Sequence, residues 1–232
     1  MPNDVVTIAK NLDTIQAQMA TACERAGRQL NEVTLIAVTK TIPLELLQEA
    51  QALWVDHPGM VFGENRVQEL LSKYDHLPDT DWHMIGTLQR NKVKAILDKV
   101  SLIHSVDSLK LATEINRQAA KLGKIQAVLL EVNIANEPTK HGVAPAALPT
   151  LVQACAQLPN LQVIGLMTLA PYASDPETNR PHFKHMRDLL RALQPDNPHM
   201  QHLSMGMTGD YTVAIEEGAT MVRIGTGIFG QR

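Results

Sequence analysis

Residues 33–40 read VTLIAVTK, an apolar and β-branched run that ends on a lysine, Lys40. A continuous apolar run of this length, rather than an alternating one, is typical of a strand buried on both faces of a parallel sheet. A second run of this kind, residues 221–230, reads MVRIGTGIFG and opens into a glycine-rich turn. The chain therefore has a buried-strand pattern near each end, and each strand leads directly into residues that can do chemistry.

The same order of apolar strand, turn and amphipathic helix repeats between these two runs. The helical segments carry core residues at i, i+3 and i+4, as Val67, Leu70 and Leu71 do. The pattern predicts eight strands, at residues 33–39, 60–62, 82–85, 101–104, 125–133, 161–167, 199–203 and 220–224. Eight strand–helix units favour an α/β fold of the closed (β/α)8 TIM-barrel type over an open doubly wound sheet. No long linker divides the 232 residues, so we expect one domain, residues 1–232.

Residues 1–30 contain a long helical pattern before the first strand, with Ile8, Leu12 and Ile15 on one face. Few residues follow the eighth strand in this sequence, so we expect this extra N-terminal helix to pack on the barrel (residues 31–232) and to fill the wall position of a last helix. The alternative interpretation of the apolar face is a coiled-coil dimer helix, although the run is short for a stable coil.

Composition excludes several classes of function. The formal net charge is −3, so no strong electrostatic attraction to nucleic acid or to an anionic membrane is expected. Cys23 and Cys155 lack CxxC spacing, which indicates inert core thiols in a reducing cytoplasm. The longest apolar stretches are too short to span a bilayer, and no signal-peptide pattern is present. We expect a cytoplasmic monomer without nucleic-acid or membrane partners.

Lys40 and two glycine-rich loops belong to the same end of the predicted barrel. Function in such barrels gathers at the C-terminal ends of the strands, and phosphate is commonly held after strands seven and eight. Residues 204–210 read SMGMTGD and residues 225–227 read GTG, so backbone N–H groups and the hydroxyls of Ser204 and Thr226 could surround a phosphate. A partly desolvated lysine near other cations has a lowered pKa and can form a Schiff base. A phosphorylated aldehyde satisfies both features, and pyridoxal 5′-phosphate (PLP) is the common one.

Each of these residues also has a plainer interpretation. The loops could be ordinary turns in which Asp210 caps the next helix, and Lys40 could be a solvated turn residue. Arg223 lies two residues before the GTG turn, and strand alternation could point its side chain into the barrel mouth. A buried arginine needs a hydrogen-bond acceptor, and a pyridine nitrogen is one.

The sequence resembles the pyridoxal phosphate homeostasis proteins, also called the YggS/PROSC family, along essentially its whole length. The matching blocks include FGENRVQE at residues 62–69 and WHMIGTLQRNK at residues 82–92. Further blocks lie at residues 37–40, 104–108, 132–142, 165–167, 203–208 and 222–230. Eight blocks in order make the resemblance specific. One departure is Thr208, where serine is frequent in the family and where a hydroxyl is kept.

The resemblance implies a PLP-binding barrel related to the N-terminal domain of alanine racemase. It also implies the residues that hold the cofactor: Lys40 for the Schiff base, Arg223 for the pyridine nitrogen, Ser204, Gly225 and Thr226 for the phosphate, and Asn65 and Met205 for the ring. Outside this set, we interpret His83 and His104 as hydrogen-bonding residues of the barrel mouth rather than zinc ligands. We interpret Lys140 as a solvated loop lysine.

Three functions are compatible with these residues. The first is a PLP homeostasis protein or carrier without robust turnover, the second a PLP-dependent racemase-type enzyme, and the third a PLP-independent Schiff-base aldolase. Racemases of this fold obtain a second base from an additional β-domain, which the residues after strand eight do not supply. An arginine at the pyridine nitrogen also makes the ring a poorer electron sink. The aldolase would not explain the matching blocks, so we expect the carrier, with PLP-dependent apoenzymes as candidate recipients.

Overall fold

The structure is a computed structural model that describes residues 4–51, 53, 61–137 and 141–231. Eight parallel strands form a closed barrel in which each strand pairs with the next and the last pairs with the first. The strands are β1 (Thr34–Val38), β2 (Val61–Glu64), β3 (Trp82–Met84), β4 (Leu102–Val106), β5 (Gln126–Glu131), β6 (Leu161–Met167), β7 (His202–Met207) and β8 (Met221–Ile224). The predicted (β/α)8 barrel is confirmed. Met60 and Lys140 lie outside the described residues.

Helices alternate with the strands and cover the outside of the barrel. They are α1 (Val5–Arg25), α2 (Leu44–Gln51), α3 (Val67–Tyr74), α4 (Val93–Ile96), α5 (Leu109–Lys121), α6 (Leu148–Cys155), α7 (Arg180–Leu193), α8 (Tyr211–Glu216) and α9 (Thr226–Phe229). In the part of the chain that is described, none of the helices has the length and apolar character needed to cross a bilayer.

The N-terminal helix α1 is part of the barrel wall. Asp4 caps it by accepting a hydrogen bond from the Thr7 N–H at 2.8 Å. Its apolar face is buried and packs against α8 and α9, and the Asn11 side chain donates to the Ile228 carbonyl oxygen at 3.0 Å. Because this face is buried against helices of the same chain, it is not available to a coiled-coil partner.

Strand residues alternate between two cores. Those facing outward join the helices in one large apolar core, while those facing inward fill the barrel with Ile36, Val38, Val61, Ile85, Leu102, Leu129, Met167 and Met221. The strand register places polar residues on the same inner face. Arg223 pairs with Ile36, His83 pairs with Gly63, and both Glu131 and Ser204 pair with Met167. The barrel interior therefore contains an apolar set contributed by most of the strands, together with polar residues on β3, β5, β7 and β8.

An irregularity in β7 decides which residues reach the mouth. Ser204 pairs with Met221 while Met207 pairs with Arg223, so β7 contains one residue more than β8 over this span. Gly206 takes φ +90°, and a Cβ there would lie 2.6 Å from the Cβ of Ala214. The extra residue turns both Ser204 and Met207 inward. The strand predicted at residues 199–203 therefore starts and ends later than expected.

Candidate functional site

Two adjoining cavities open at the C-terminal ends of the strands. The larger compartment, of about 420 Å³, is bounded by Thr208, Gly209, Gly225, Thr226 and the residues after β6. The smaller compartment, of about 170 Å³, is bounded by Asn65, Ile85, Gly86, Thr87, Glu131 and Leu169. Both compartments share the residues Val38, Lys40, Met207 and Arg223. A groove of about 720 Å³ beside α5 is roomier, but it is lined by none of the predicted site residues.

Lys40 follows β1 at the mouth, where its exposed side chain borders both compartments. The partial desolvation considered from the sequence is not observed. The next residue, Thr41, takes φ +62°, a conformation that a β-branched residue rarely adopts. Its N–H donates to Oε2 of Glu69 at 2.7 Å, which holds the turn after Lys40 in place.

On the other side of Lys40, Thr39 is held by a buried ion pair. The Thr39 hydroxyl donates to Oε1 of Glu64 at 2.7 Å, and its carbonyl oxygen accepts from Lys73 Nζ at 2.7 Å. Lys73 Nζ also lies 2.5 Å from Oε1 of Glu64. Burial raises the pKa of Glu64, and the attraction of Lys73 opposes that rise. Lys40 is thus flanked by two anchored backbone positions.

The two glycine-rich loops meet at a pair of threonines. The Thr226 hydroxyl donates to Oγ1 of Thr208 at 3.2 Å, and the Gly227 N–H donates to the same oxygen at 3.3 Å. Asp210 does not cap α8 through its side chain, and its carboxylate instead accepts from the Met207 N–H at 2.7 Å. Hydroxyls and N–H groups from both loops therefore surround one end of the larger compartment.

Two predicted residues, Ser204 and Met205, lie within β7 rather than on the loop after it. Ser204 is fully buried, does not border the larger compartment, and shares its hydroxyl with His104 and Arg223. Met205 is fully buried in the outer core between strands and helices. The sequence pattern ends strand seven at Leu203, so both residues were expected on the loop, whereas the longer β7 buries them. Thr208 occupies the place expected for Ser204, and Met207 that expected for Met205.

Arg223 lies on the inner face of β8, where its guanidinium is buried and borders both compartments. One end donates to Oγ of Ser204, and the other donates to the Thr168 carbonyl oxygen at 2.7 Å. Burial lowers the pKa of Arg223 to about 10, against the attraction of Asp210 and Glu131. The group is still a cation at neutral pH, and guanidinium has five N–H donors, so donors remain for a ligand.

Two histidines extend the hydrogen-bonded network that includes Arg223 and Ser204. His104 Nδ1 lies 3.0 Å from Oγ of Ser204, and His104 Nε2 lies 3.1 Å from Nδ1 of His83. Ser204 accepts from Arg223, and the tautomers of His104 and His83 decide which atom donates in the other two contacts. Burial lowers the pKa of His83 to about 4 and the pKa of His104 well below the usual range. Both rings are buried and border neither compartment, so they lie in the barrel interior rather than at its mouth.

Asn65 and Glu131 both border the smaller compartment. Oδ1 of Asn65 is buried and has no hydrogen-bond partner among the described residues. Glu131 ends β5 and is 5% exposed, and burial, more than the nearby Asp107, raises the pKa of its carboxyl. Sequence reasoning missed Glu131, although strand alternation along residues 125–133 could have placed it inward. Across the described ranges, no cluster of His, Cys, Asp and Glu is arranged to hold a metal ion.

Comparison with known proteins identifies the family. The family model of the alanine racemase N-terminal domain matches residues 10–232. The pyridoxal phosphate homeostasis protein of Aquifex aeolicus is 48% identical over 226 residues, covering 96% of this chain and 97% of that protein. That of Escherichia coli K12 is 38% identical over 231 residues, covering 97% of each chain. The chain belongs to the pyridoxal phosphate homeostasis protein family.

Solved structures agree with this assignment. PipY of Synechococcus elongatus PCC7942 without PLP matches with a TM-score of 0.83 and 36% identity, over 96% of this chain and 100% of that one. The same protein with PLP bound matches with a TM-score of 0.81 and 34% identity, over the same shares. Alanine racemase from Corynebacterium glutamicum shares the fold, with a TM-score of 0.75 and 16% identity, over 99% of this chain and 62% of that one.

Proposed function

We propose that the protein binds PLP at the barrel mouth and serves PLP homeostasis, holding the cofactor as a Schiff base on Lys40 without robust turnover. The observation that carries this proposal is the convergence of Lys40, Arg223 and the Thr208–Thr226 pair on one pair of compartments. The homeostasis relatives and the PLP-bound PipY structure support it.

The donors and acceptors of the mouth fit each part of PLP. When bound, PLP supplies an aldehyde that forms a reversible covalent bond with a primary amine. Lys40 offers that amine, and the hydroxyls of Thr208 and Thr226 with the N–H of Gly225 bind the phosphate. Arg223 donates to the pyridine nitrogen. In the proposed site Asn65 and Met207 border the ring, and Ser204 orients Arg223 rather than binding phosphate.

The same residues favour a carrier over an enzyme. Arg223 carries a permanent charge at neutral pH and does not readily give a proton to the pyridine nitrogen, so the ring gains little capacity to stabilise a carbanion. We further propose that residues 1–232 form one PLP-binding domain. The protein is then a cytoplasmic monomer that supplies PLP-dependent apoenzymes and has no nucleic-acid or membrane partner.

The test is to locate the cofactor on the chain. Purified protein incubated with PLP should absorb visible light, borohydride should bleach that absorption, and peptide mapping should find the pyridoxyl mass on Lys40. Lys40→Ala should lose the absorption, while Lys94→Ala, which removes an exposed lysine on α4, should keep it. A wild-type protein that takes up no PLP, or an adduct that maps to another lysine, would overturn the proposal.

A further inference from the structure

Glu131 is a buried carboxylate for which the described part of the chain provides no hydrogen-bond donor. It is 5% exposed, and its pairing with Met167 places it on the inner face of β5. Arg223 and His141 attract it electrostatically, yet the two side-chain hydrogen bonds of Arg223 go to Ser204 and Thr168. A largely buried carboxylate is favourable only where donors reach its oxygens, so Glu131 depends on water or a ligand in the compartment that it borders.

The compartment that Glu131 enters has the character of a small ligand site. Its volume of about 170 Å³ equals roughly five to six water molecules at about 30 Å³ each. Asn65 borders the same space, and its Oδ1, which is buried, has no hydrogen-bond partner among the described residues. Ile85, Leu169 and Met207 form apolar walls, and Lys40 lies at the border with the larger compartment.

We propose that the smaller compartment binds a primary ammonium group, with the Glu131 carboxylate as its anionic ligand. An ammonium group brings three N–H donors and a positive charge, which match a carboxylate that has no donor of its own. The apolar walls suit the alkyl stem that carries such a group. This inference rests on the proposed PLP site, because it gives that site a neighbouring place for an incoming amine.

Glu131 also prepares the bound amine to compete with Lys40. One proton passes from the ammonium nitrogen to a carboxylate oxygen of Glu131, and no other bond changes. The resulting neutral amine lies beside Lys40 and can compete with it for an aldehyde, which an ammonium group cannot do. Glu131 is therefore a positioning and proton-accepting residue for release of the cofactor to amines.

Glu131→Gln tests this assignment, since it removes the charge and keeps the size. PLP-loaded protein is titrated with butylamine, a cation at neutral pH, and with hydroxylamine, which is largely uncharged there, and the visible absorption is followed. The butylamine concentration for half-maximal change should rise about tenfold or more in Glu131→Gln, as expected for loss of a charge-assisted hydrogen bond, with little change for hydroxylamine. Asp107→Asn is the matched control, because Asp107 lies nearby but does not border the compartment.

Two further probes distinguish the source of the amine. If Glu131→Gln weakens the response to Nα-acetyl-lysine amide, the amine is a lysine side chain of an acceptor protein. If Glu131→Gln weakens the response to alanine, the amine is a free amino acid. Butylamine should also raise the melting temperature of PLP-free wild-type protein but not that of Glu131→Gln. If wild type and Glu131→Gln respond to butylamine alike in this melt, the ammonium site is overturned whether or not PLP binds. Failure of the wild type to take up PLP would instead overturn the proposed function.

Discussion

Nζ of Lys73 lies 2.5 Å from Oε1 of Glu64 and 2.7 Å from the carbonyl oxygen of Thr39, immediately before Lys40. Both charged side chains are buried, so the charge of each offsets most of the cost of removing the other from water. The contact joins α3 to the end of β2 and to the end of β1. The position of Lys40 therefore depends on a buried ion pair from two other elements.

The first prediction follows from removing one member of this pair. Lys73→Met should lower the free energy of unfolding by about 3–5 kcal/mol, because it leaves Glu64 buried and unpaired. The folded-state pKa of Glu64 is already raised by burial, so the ionised form is the unfavourable one, and the deficit should shrink as pH falls from 7 toward 5. Urea unfolding at several pH values measures this. Lys94→Met, at an exposed lysine, is the control, and equal stabilities of the two variants would contradict the prediction.

The second prediction separates the phosphate residues from Ser204. Thr208→Val and Thr226→Val should each weaken PLP binding about tenfold or more, since a hydrogen bond to a charged group contributes about 1.5–3 kcal/mol. Pyridoxal, which lacks the phosphate, should lose far less affinity. Ser204→Ala should instead affect both ligands alike, because it removes a partner of Arg223 and His104. Spectroscopic titration gives the affinities, and a phosphate-specific loss in Ser204→Ala would restore the original assignment.

Much of the fold could be predicted from the sequence because buried parallel strands are continuous apolar runs. The runs that end at Lys40 and Ile224 fix β1 and β8, and alternation along β8 places Arg223 on the inner face. These features depend only on the local periodicity of apolar and polar residues, which can be read from a single sequence.

The failures in the site arise where local pattern misleads. The sequence pattern ends strand seven at Leu203 and assigns residues 204–210 to a loop, whereas β7 continues to Met207 through an irregularity between Ser204 and Met207. As a result, Thr208 and Met207 border the larger compartment, whereas Ser204 and Met205 do not. The buried Lys73 was missed for another reason, since a lysine on a helix is usually exposed and its partner Glu64 lies on a different element.

The third prediction concerns acid stability and His83. Its folded-state pKa is about 4 against an ordinary value of 6.5, because burial disfavours the charged ring. A depressed pKa means that the stabilisation is fully present above pH 6.5 and is lost as pH falls toward 4, by roughly 3 kcal/mol. Unfolding experiments across this range should show the loss, and His83→Gln should make it smaller, while the buried His104 keeps its own contribution. His185→Gln, at an exposed histidine on α7, should leave the slope unchanged. A wild-type protein equally stable at pH 7 and pH 4.5 would contradict the prediction.

The fourth prediction is that Arg223 limits the chemistry of bound PLP. Wild-type protein should not exchange the α-proton of alanine with solvent deuterium at rates typical of enzymes, about 1–1000 per second. Arg223→Glu should favour a protonated pyridine nitrogen, so the visible absorption should change with pH and slow exchange should appear or increase in the NMR assay. Because Arg223 is buried between Ser204 and Thr168, a thermal melt must first show that the variant folds. Arg223→Lys, which keeps a cation, serves as the control and should show neither effect.

A folded Arg223→Glu protein with unchanged absorption and unchanged exchange would remove Arg223 from the cofactor site. Rapid exchange by the wild type that Lys40→Ala abolishes would make the protein an enzyme.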